Sequence, residues 1–441
     1  MLSSLLLATG APAADEITSL PGWSGALPSK WYSGYVNVTA SMDREMLVHY
    51  VYIESEGDAA HDPTILWTNG GPGASSMFGL LVELGPLILN ENSVATPEFK
   101  KSGVPTLYRN DFGWSKLGGV LMFDWPPPVG FSYCHDDPTG KGTSCGDWDD
   151  DRFSTVAYGA LSAWYGRFPE FAGNDLYLTG ESYAGIYIPR LAKSILEGGD
   201  ASLKTRLKGF AVGDACAGNQ VNCGGESPWF NLLFLYGHGQ LSTKLFDKVT
   251  STCGQKYLKQ GGTAPKGCLA ILQRMTTAAA GFFEYNLYDE CTYDDLLSNG
   301  AVNDYVCGGG SALNKWILRE DVREALHVPT NSLFFDGDNG AGMVYRSTEP
   351  DLRPFYQHVA NSTALRVLVY NGDTDPAINS FVAQAQNPTN LTLTMRLPPQ
   401  PHRPVSTPAP ASCARLRDAP IFTREHLPFL LATPLSASLT C

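Results

Sequence analysis

Nowhere in its 441 residues does the chain carry a run of lysine and arginine, a CxxC pair or an HExxH helix. It also lacks an apolar stretch of the roughly 18 residues that a membrane-spanning helix needs. The formal net charge is −13. Without a basic tract, that charge argues against nucleic acid or an anionic membrane surface as partner. Without grouped histidine and cysteine there is no metal site to read, and no residue pattern calls for a cofactor. A soluble protein without a membrane span is expected.

What is present is material for a large core: 43% of the residues are hydrophobic and 11% aromatic. The length exceeds one minimal domain, so one large domain with an insertion, or two domains, is expected. Eight of the ten cysteines fall in neighbouring couples, 134/145, 216/223, 253/268 and 291/307. Sequence alone does not fix connectivity, but an even set in loop-rich sequence suits disulfides and an oxidising compartment. Sequons at Asn37, Asn361 and Asn390 agree with that. Residues 1–14 combine a short apolar stretch with "APA" but lack a positive n-region, and read as a partial signal peptide. Routing through the secretory pathway follows, to a vacuole or lysosome or to the outside.

Short apolar runs ending in turn residues recur along the chain: "TILWT" (64–68), "GVLMFD" (119–124), "DLYLT" (175–179), "LKGFAVGD" (207–214) and "RVLVY" (366–370). Such runs suit strands buried on both faces of a mostly parallel sheet. Helix-period stretches lie between them, at 155–168 and 188–199, giving an α/β fold. Residues 35–56 alternate more and read as antiparallel strands. From 215 to 345 the alternation weakens, and six cysteines and helical pieces such as 312–328 suggest an inserted cap. The organisation read here is a core over 15–214, the cap over 215–345, more core over 346–385, and a Pro-rich tail over 386–441.

"TGESYAGIYIP" (179–189) follows one of these strands and precedes a helical stretch. A strand–turn–helix carrying Gly-x-Ser-x is a nucleophile elbow, which lifts the Ser182 hydroxyl clear of the sheet. Gly180, Ala184 and Gly185 are small enough to let the turn close. A serine hydrolase also needs backbone N–H groups aimed at the forming oxyanion. Tyr183 supplies one, and "WTNGGPGASS" (67–76), a Gly-rich loop after an earlier strand, is placed to supply the other.

With these motifs, "ELGP" (83–86), "VGFSY" (129–133), "FPEF" (168–171) and "VLVYNGDTD" (367–375), the chain resembles the serine carboxypeptidases, over about residues 15–385. The resemblance implies an α/β-hydrolase fold: a mostly parallel central sheet, helices on both faces and an inserted disulfide-rich cap. It implies Ser182 as nucleophile, Gly71 and Tyr183 as oxyanion donors, and Asp375 as the acid of the triad. Asn69, Gly70, Glu83 and Glu181 then hold the substrate's terminal carboxylate, so the partners are peptide or protein C-termini. Two acids can hold a carboxylate only while they carry protons, and close carboxyls raise each other's proton affinity. Asp373 is assigned to the turn instead. Two positions depart from the family: Ala74 stands where a cysteine usually bonds to the cap, and Pro128 replaces a glycine.

The family's Gly-Ala-Gly-His-like segment is absent. In the order Ser, Asp, His only His402 and His426 follow Asp375, the first in a Pro-rich run and the second without glycines to shape a loop. Residues 397–441 hold nine prolines and no glycine, tyrosine or tryptophan, whereas the preceding 396 hold all 45 glycines. A frameshift or misread exon boundary is the simplest account of that ending, and it is expected to add no strand or helix to the sheet. The leading reading is a serine carboxypeptidase that releases C-terminal amino acids at acid pH, inactive as written if the histidine is truly missing. The alternatives are a non-catalytic binding or chaperone-like protein of the same fold and an acyltransferase, against which Asn69 and Glu181 argue. Sequencing the 3′ end of the transcript tests the tail: the message is expected to depart from this ending, and one that encodes it without interruption overturns the misreading.

Overall fold

Thr64–Thr68 and Gly119–Phe123 are buried at every position, as strands flanked on both faces must be. The computed structural model describes residues 11–38, 45–135, 137–223, 228–279, 285–287, 309–386 and 437–439. In chain order the strands along the path of its main sheet, which Tyr133–Cys134 joins off that path by pairing with the third, are β1 (Glu16–Ile17), β2 (Trp31–Asn37), β3 (Met46–Ile53), β4 (Thr64–Thr68) and β5 (Gly119–Phe123). They continue with β6 (Leu176–Glu181), β7 (Leu207–Gly213), β8 (Arg366–Tyr370) and β9 (Ala437–Leu439). Their spatial order is 1-2-3-5-4-6-7-8-9. Pairing is antiparallel from β1 through β3 to β5 and parallel from β5 onward. This is the α/β-hydrolase arrangement, and the five apolar runs singled out in the sequence supply β4 to β8.

The side-chain period of two sorts each strand between two cores. Tyr50, Tyr52, Leu66, Leu121 and Phe123 face one side, where helices α1 (Asp150–Arg167) and α2 (Ala184–Glu197) cover them. Val51, Ile53, Ile65, Val120 and Met122 face the other, against Leu80, Leu81, Leu313 and Trp316. Asp149 caps α1, its side chain accepting from the Arg152 amide. A third core, built on Leu232, Phe234, Val249, Leu258 and Ile271, belongs to helices between Pro228 and Ala278. The stretch 312–328 breaks into two helices, Gly310–Ile317 and Glu320–Ala325. Arg319 is extended at the break and its guanidinium bonds Asp321 twice and the Gly103 carbonyl once.

Disulfides join Cys134 to Cys145, Cys216 to Cys223 and Cys253 to Cys268, three of the four local couples. The 291/307 couple lies outside the described residues, as do residues 1–10 and most of the tail. One expectation for the tail fails: Ala437–Leu439 pairs in parallel with β8. The open edge of β8 offers a row of unpaired backbone groups, and three residues of extended chain satisfy part of it whatever their origin. β6 carries the central load of the sheet, and Leu178 within it is fully buried. Leu178→Ala is expected to cost about 2–5 kcal/mol of stability, read as a lowered midpoint in urea denaturation; an unchanged midpoint contradicts the packing described.

Candidate active site

β6 ends at Glu181, α2 begins at Ala184, and between them Ser182 takes φ +58°. A non-glycine residue in the left-handed region costs about 1–3 kcal/mol and persists only when its surroundings hold it. Here the Ser182 amide donates to the Gly213 carbonyl (2.9 Å), and the Ser182 carbonyl accepts from Gly185 (2.9 Å) and Cys216 (3.0 Å). These bonds tie the elbow to the end of β7. The Gly-rich loop after β4 lies directly over it. A Cβ on Gly70 would stand 2.4 Å from the Tyr183 nitrogen, so only glycine lets the two segments meet, and Gly71 takes φ +105° beside it.

The loop is anchored from below by Asp124. Ser75 donates to Asp124 Oδ1 (2.5 Å), while Asp124 Oδ2 faces His49 Nδ1 (2.8 Å) and accepts from the Phe131 amide (3.1 Å). His49 Nε2 in turn lies 2.9 Å from Ser33 Oγ. This Ser33–His49–Asp124 arrangement copies the connectivity of a catalytic triad, but all three side chains are sealed in the core and the Ser33 hydroxyl is already given to the Leu326 carbonyl. It is structural. At Ala74, where the family usually has a cysteine, the amides of Gly337 and Gly340 donate to the carbonyls of Gly73 and Pro72 (both 2.9 Å), joining the 334–344 segment to the loop. The peptides before Pro72, Pro126 and Pro128 are cis.

Asn69 gathers the acids. Its Nδ2 donates to Glu181 Oε1 (2.9 Å) and Glu83 Oε2 (3.4 Å). Its Oδ1 is fixed by the Trp67 indole (2.9 Å) and the Gly79 amide (3.1 Å), which leaves the nitrogen no other orientation. Glu83 comes from Gly79–Leu84, a π-helical turn, and its side chain is exposed to the open cleft, while Glu181 is half-buried. Desolvation within the cleft, and next the Glu181 charge, raise Glu83 above the usual carboxylate range; desolvation raises Glu181 as well. Two carboxyls this close favour keeping a proton between them.

Asp375 is buried beyond β8, its oxygens accepting from the amides of Ala377 (2.8 Å) and Ile378 (3.1 Å). Asp373 turns to Ser380 (3.4 Å) and His238 (3.6 Å), away from the other acids. A cleft of about 440 Å³ is lined by Asn69, Gly70, Gly71, Glu83, Glu181, Ser182 and Asp375 together. Asp373 and the Tyr183 side chain do not line it: the Tyr183 hydroxyl donates to the buried Asp150 (2.9 Å) and its amide stays at the elbow. No histidine lines the cleft among the described residues, and His402 and His426 fall outside them.

The model of the serine carboxypeptidase family matches residues 21–403. The chain belongs to the serine carboxypeptidase family. The match begins a few residues later than the motifs suggest and runs past residue 385, through His402. Similar relatives include a serine carboxypeptidase of Caenorhabditis elegans, ctsa-4.1, 30% identical over 89% of this chain and 83% of its own. The mouse lysosomal protective protein is 31% identical over 84% of this chain and 79% of its own. Among solved structures, the prohormone-processing carboxypeptidase Kex1(Δ)p of Saccharomyces cerevisiae superposes with a TM-score of 0.62 at 20% identity, covering 85% of this chain and 80% of that one, a likeness of fold.

The sequence reading missed three acids that line the cleft of this carboxypeptidase, Asp214, Asp336 and Asp338. Asp214, the last residue of "LKGFAVGD", lines the cleft and is hydrogen-bonded to Asp375. Its place at the carboxyl end of a parallel strand, where ligands of open α/β sheets bind, was the available signal.

The Glu83–Glu181 pair links stability to pH. Because both are raised, the folded state keeps a proton that the unfolded chain releases. The pair's contribution is therefore full below the ordinary glutamate value of about 4.3 and is lost as pH rises through the raised values. Glu83→Gln keeps a donor to Glu181 without a proton to lose. Its melting temperature is expected to fall less than that of wild type between pH 4 and 7.5; parallel falls contradict the shared proton.

Proposed function

We propose that this serine carboxypeptidase releases C-terminal amino acids from peptides through an acyl-enzyme, working best in acid. The observation that carries the reading is the asparagine-bridged pair Glu83 and Glu181 in the cleft that Ser182 opens into. In acid, when both carry protons, Glu83 and Glu181 can donate to a free carboxylate, Asn69 holds the pair in place, and the Gly70 backbone stands beside them. Ser182 Oγ then bonds to the carbonyl carbon of the last peptide bond and gives its proton to a base. The amides of Gly71 and Tyr183 face the oxyanion. The C–N bond breaks, the proton goes to the departing amine, and water hydrolyses the ester. Asp375 is the acid that orients the base.

The base itself is not among the described residues; His402 and His426 are the histidines that follow Asp375 in the chain. The histidine-free lining of the described cleft favours one second reading, a binding protein on the carboxypeptidase scaffold. The three disulfides and the mouse lysosomal relative support routing to a vacuole, a lysosome or the exterior.

A fluorophosphonate probe separates the two readings. Labelling that disappears in Ser182→Ala supports the enzyme, and no labelling between pH 4 and 8 supports the binding protein. For the enzyme, a blocked dipeptide with a free carboxyl is expected to be cleaved at pH 4.5 at least about 10-fold faster than its amide, the scale of one lost charge-assisted contact. The advantage should shrink toward pH 8 as the acid pair ionises. Equal cleavage of both forms removes the carboxylate-binding role.

A further inference from the structure

Asp214 and Asp375 form a second acid pair in the cleft that Glu83 and Glu181 line, and their hydrogen-bond partners are unequal. Asp375 accepts a backbone amide on each oxygen, Ala377 on Oδ1 and Ile378 on Oδ2. Asp214 accepts both of its donors on one oxygen: Asn371 Nδ2 and the Gly372 amide each reach Oδ1 at 2.9 Å. Its Oδ2 receives no donor from the described residues and is the atom left to carry a proton. A carboxylate with donors on both oxygens is the better anion, and a carboxyl with one oxygen undonated is the better place for a proton to stay.

We propose that Asp214 is a positioning residue for the proposed reaction: it stays protonated and donates through Oδ2 to Asp375, holding that carboxylate ionised and aimed. Asp214 also grips the turn that carries Asp375, because Asn371 and Gly372 both hang on its Oδ1. The grip has a rigid base, since the Asp214 amide donates to the Tyr370 carbonyl of β8 (3.0 Å) and Asp214 directly follows Gly213, to which Ser182 is bonded. One side chain thus couples the end of β7, the elbow and the turn of the triad acid.

The Asn371 and Gly372 donors favour ionised Asp214, and the charged and phenolic groups facing it favour retention of its proton. Asp375 and Glu181 are negative when ionised, Tyr370 carries a neutral phenol, and no cation faces it among the described residues. Burial first, and then the Asp375 charge, raise Asp214 well above the usual range; burial raises Asp375 too, against the pull of the Ala377 and Ile378 amides and of Asp214. Loss of the proton would put two anions in contact and remove the donor, so the turn would loosen. This dependence is separate from that of Glu83 and Glu181, whose ionisation weakens carboxylate binding and is read in KM. Asp214 is read in kcat.

The test compares the full-length protein with Asp214→Asn and Asp214→Ala. Asparagine offers a donor that never ionises. Its kcat on a free-carboxyl peptide is expected within about 3-fold of wild type at pH 4.5, with the fall in kcat toward neutral pH moved to higher pH. Alanine removes donor and grip. Its kcat is expected to fall about 10- to 100-fold with KM within about 2-fold, the scale of a misaimed catalytic group. Asparagine as damaging as alanine, or alanine without effect, overturns the proposal.

A second measurement is independent of turnover. Between pH 4.5 and 7.5 the melting temperature of Asp214→Asn should gain steadily on that of wild type, because only wild type has this proton to lose. A gain that does not change with pH overturns the shared proton. If wild type cleaves no peptide, the proposed function fails, and the melting series still decides whether the pair exists.

Discussion

Ser182 must be held at a backbone angle that a serine does not choose, and the arrangement of the cleft follows from how it is held. Three hydrogen bonds to the ends of neighbouring segments fix the turn from below. Gly70 closes it from above at a distance no side chain permits. Because the same loop carries Asn69 and Gly71, and leads through Ser75 into the turn bearing Glu83, a change in the elbow would displace the amides and the acids together. The strain is local and its supports are spread over β4, β6 and β7.

The second constraint is electrostatic. Glu83, Glu181, Asp214 and Asp375 line one cleft, and no lysine, arginine or histidine lines it among the described residues. So many carboxylates cannot all be ionised at close range in a site of low dielectric. Protons held within each pair would resolve the conflict, and the proposed carboxylate binding by Glu83 and Glu181, the proposed anion at Asp375 and the proposed acid working range all rest on that.

Much of this was legible beforehand. "TILWT", "GVLMFD", "DLYLT", "LKGFAVGD" and "RVLVY" read as buried strands because burial on both faces leaves continuous apolar runs, and they form β4 to β8. The elbow, the glycine loop and three local disulfides were visible because each depends on residues close in sequence. The helical stretch read at 312–328 forms two short helices, with Arg319 between them bonded to Asp321 and the Gly103 carbonyl. One reading needed correction. Residues 437–439 have no strand signature, and the vacant edge of β8 recruits them.

The sequence by itself determined the order of strands and helices, the turn at Ser182 and the identity of the residues able to act there, since local sterics and periodicity set these. Tertiary structure decided which acids became partners. Asp214 and Asp375 lie on different strands' ends, as do Glu83 and Glu181 on different segments, and no spacing in the chain announces either pair. Proton sharing depends on distances of a few ångströms between groups far apart in sequence, and only the twist and register of the sheet fix those distances.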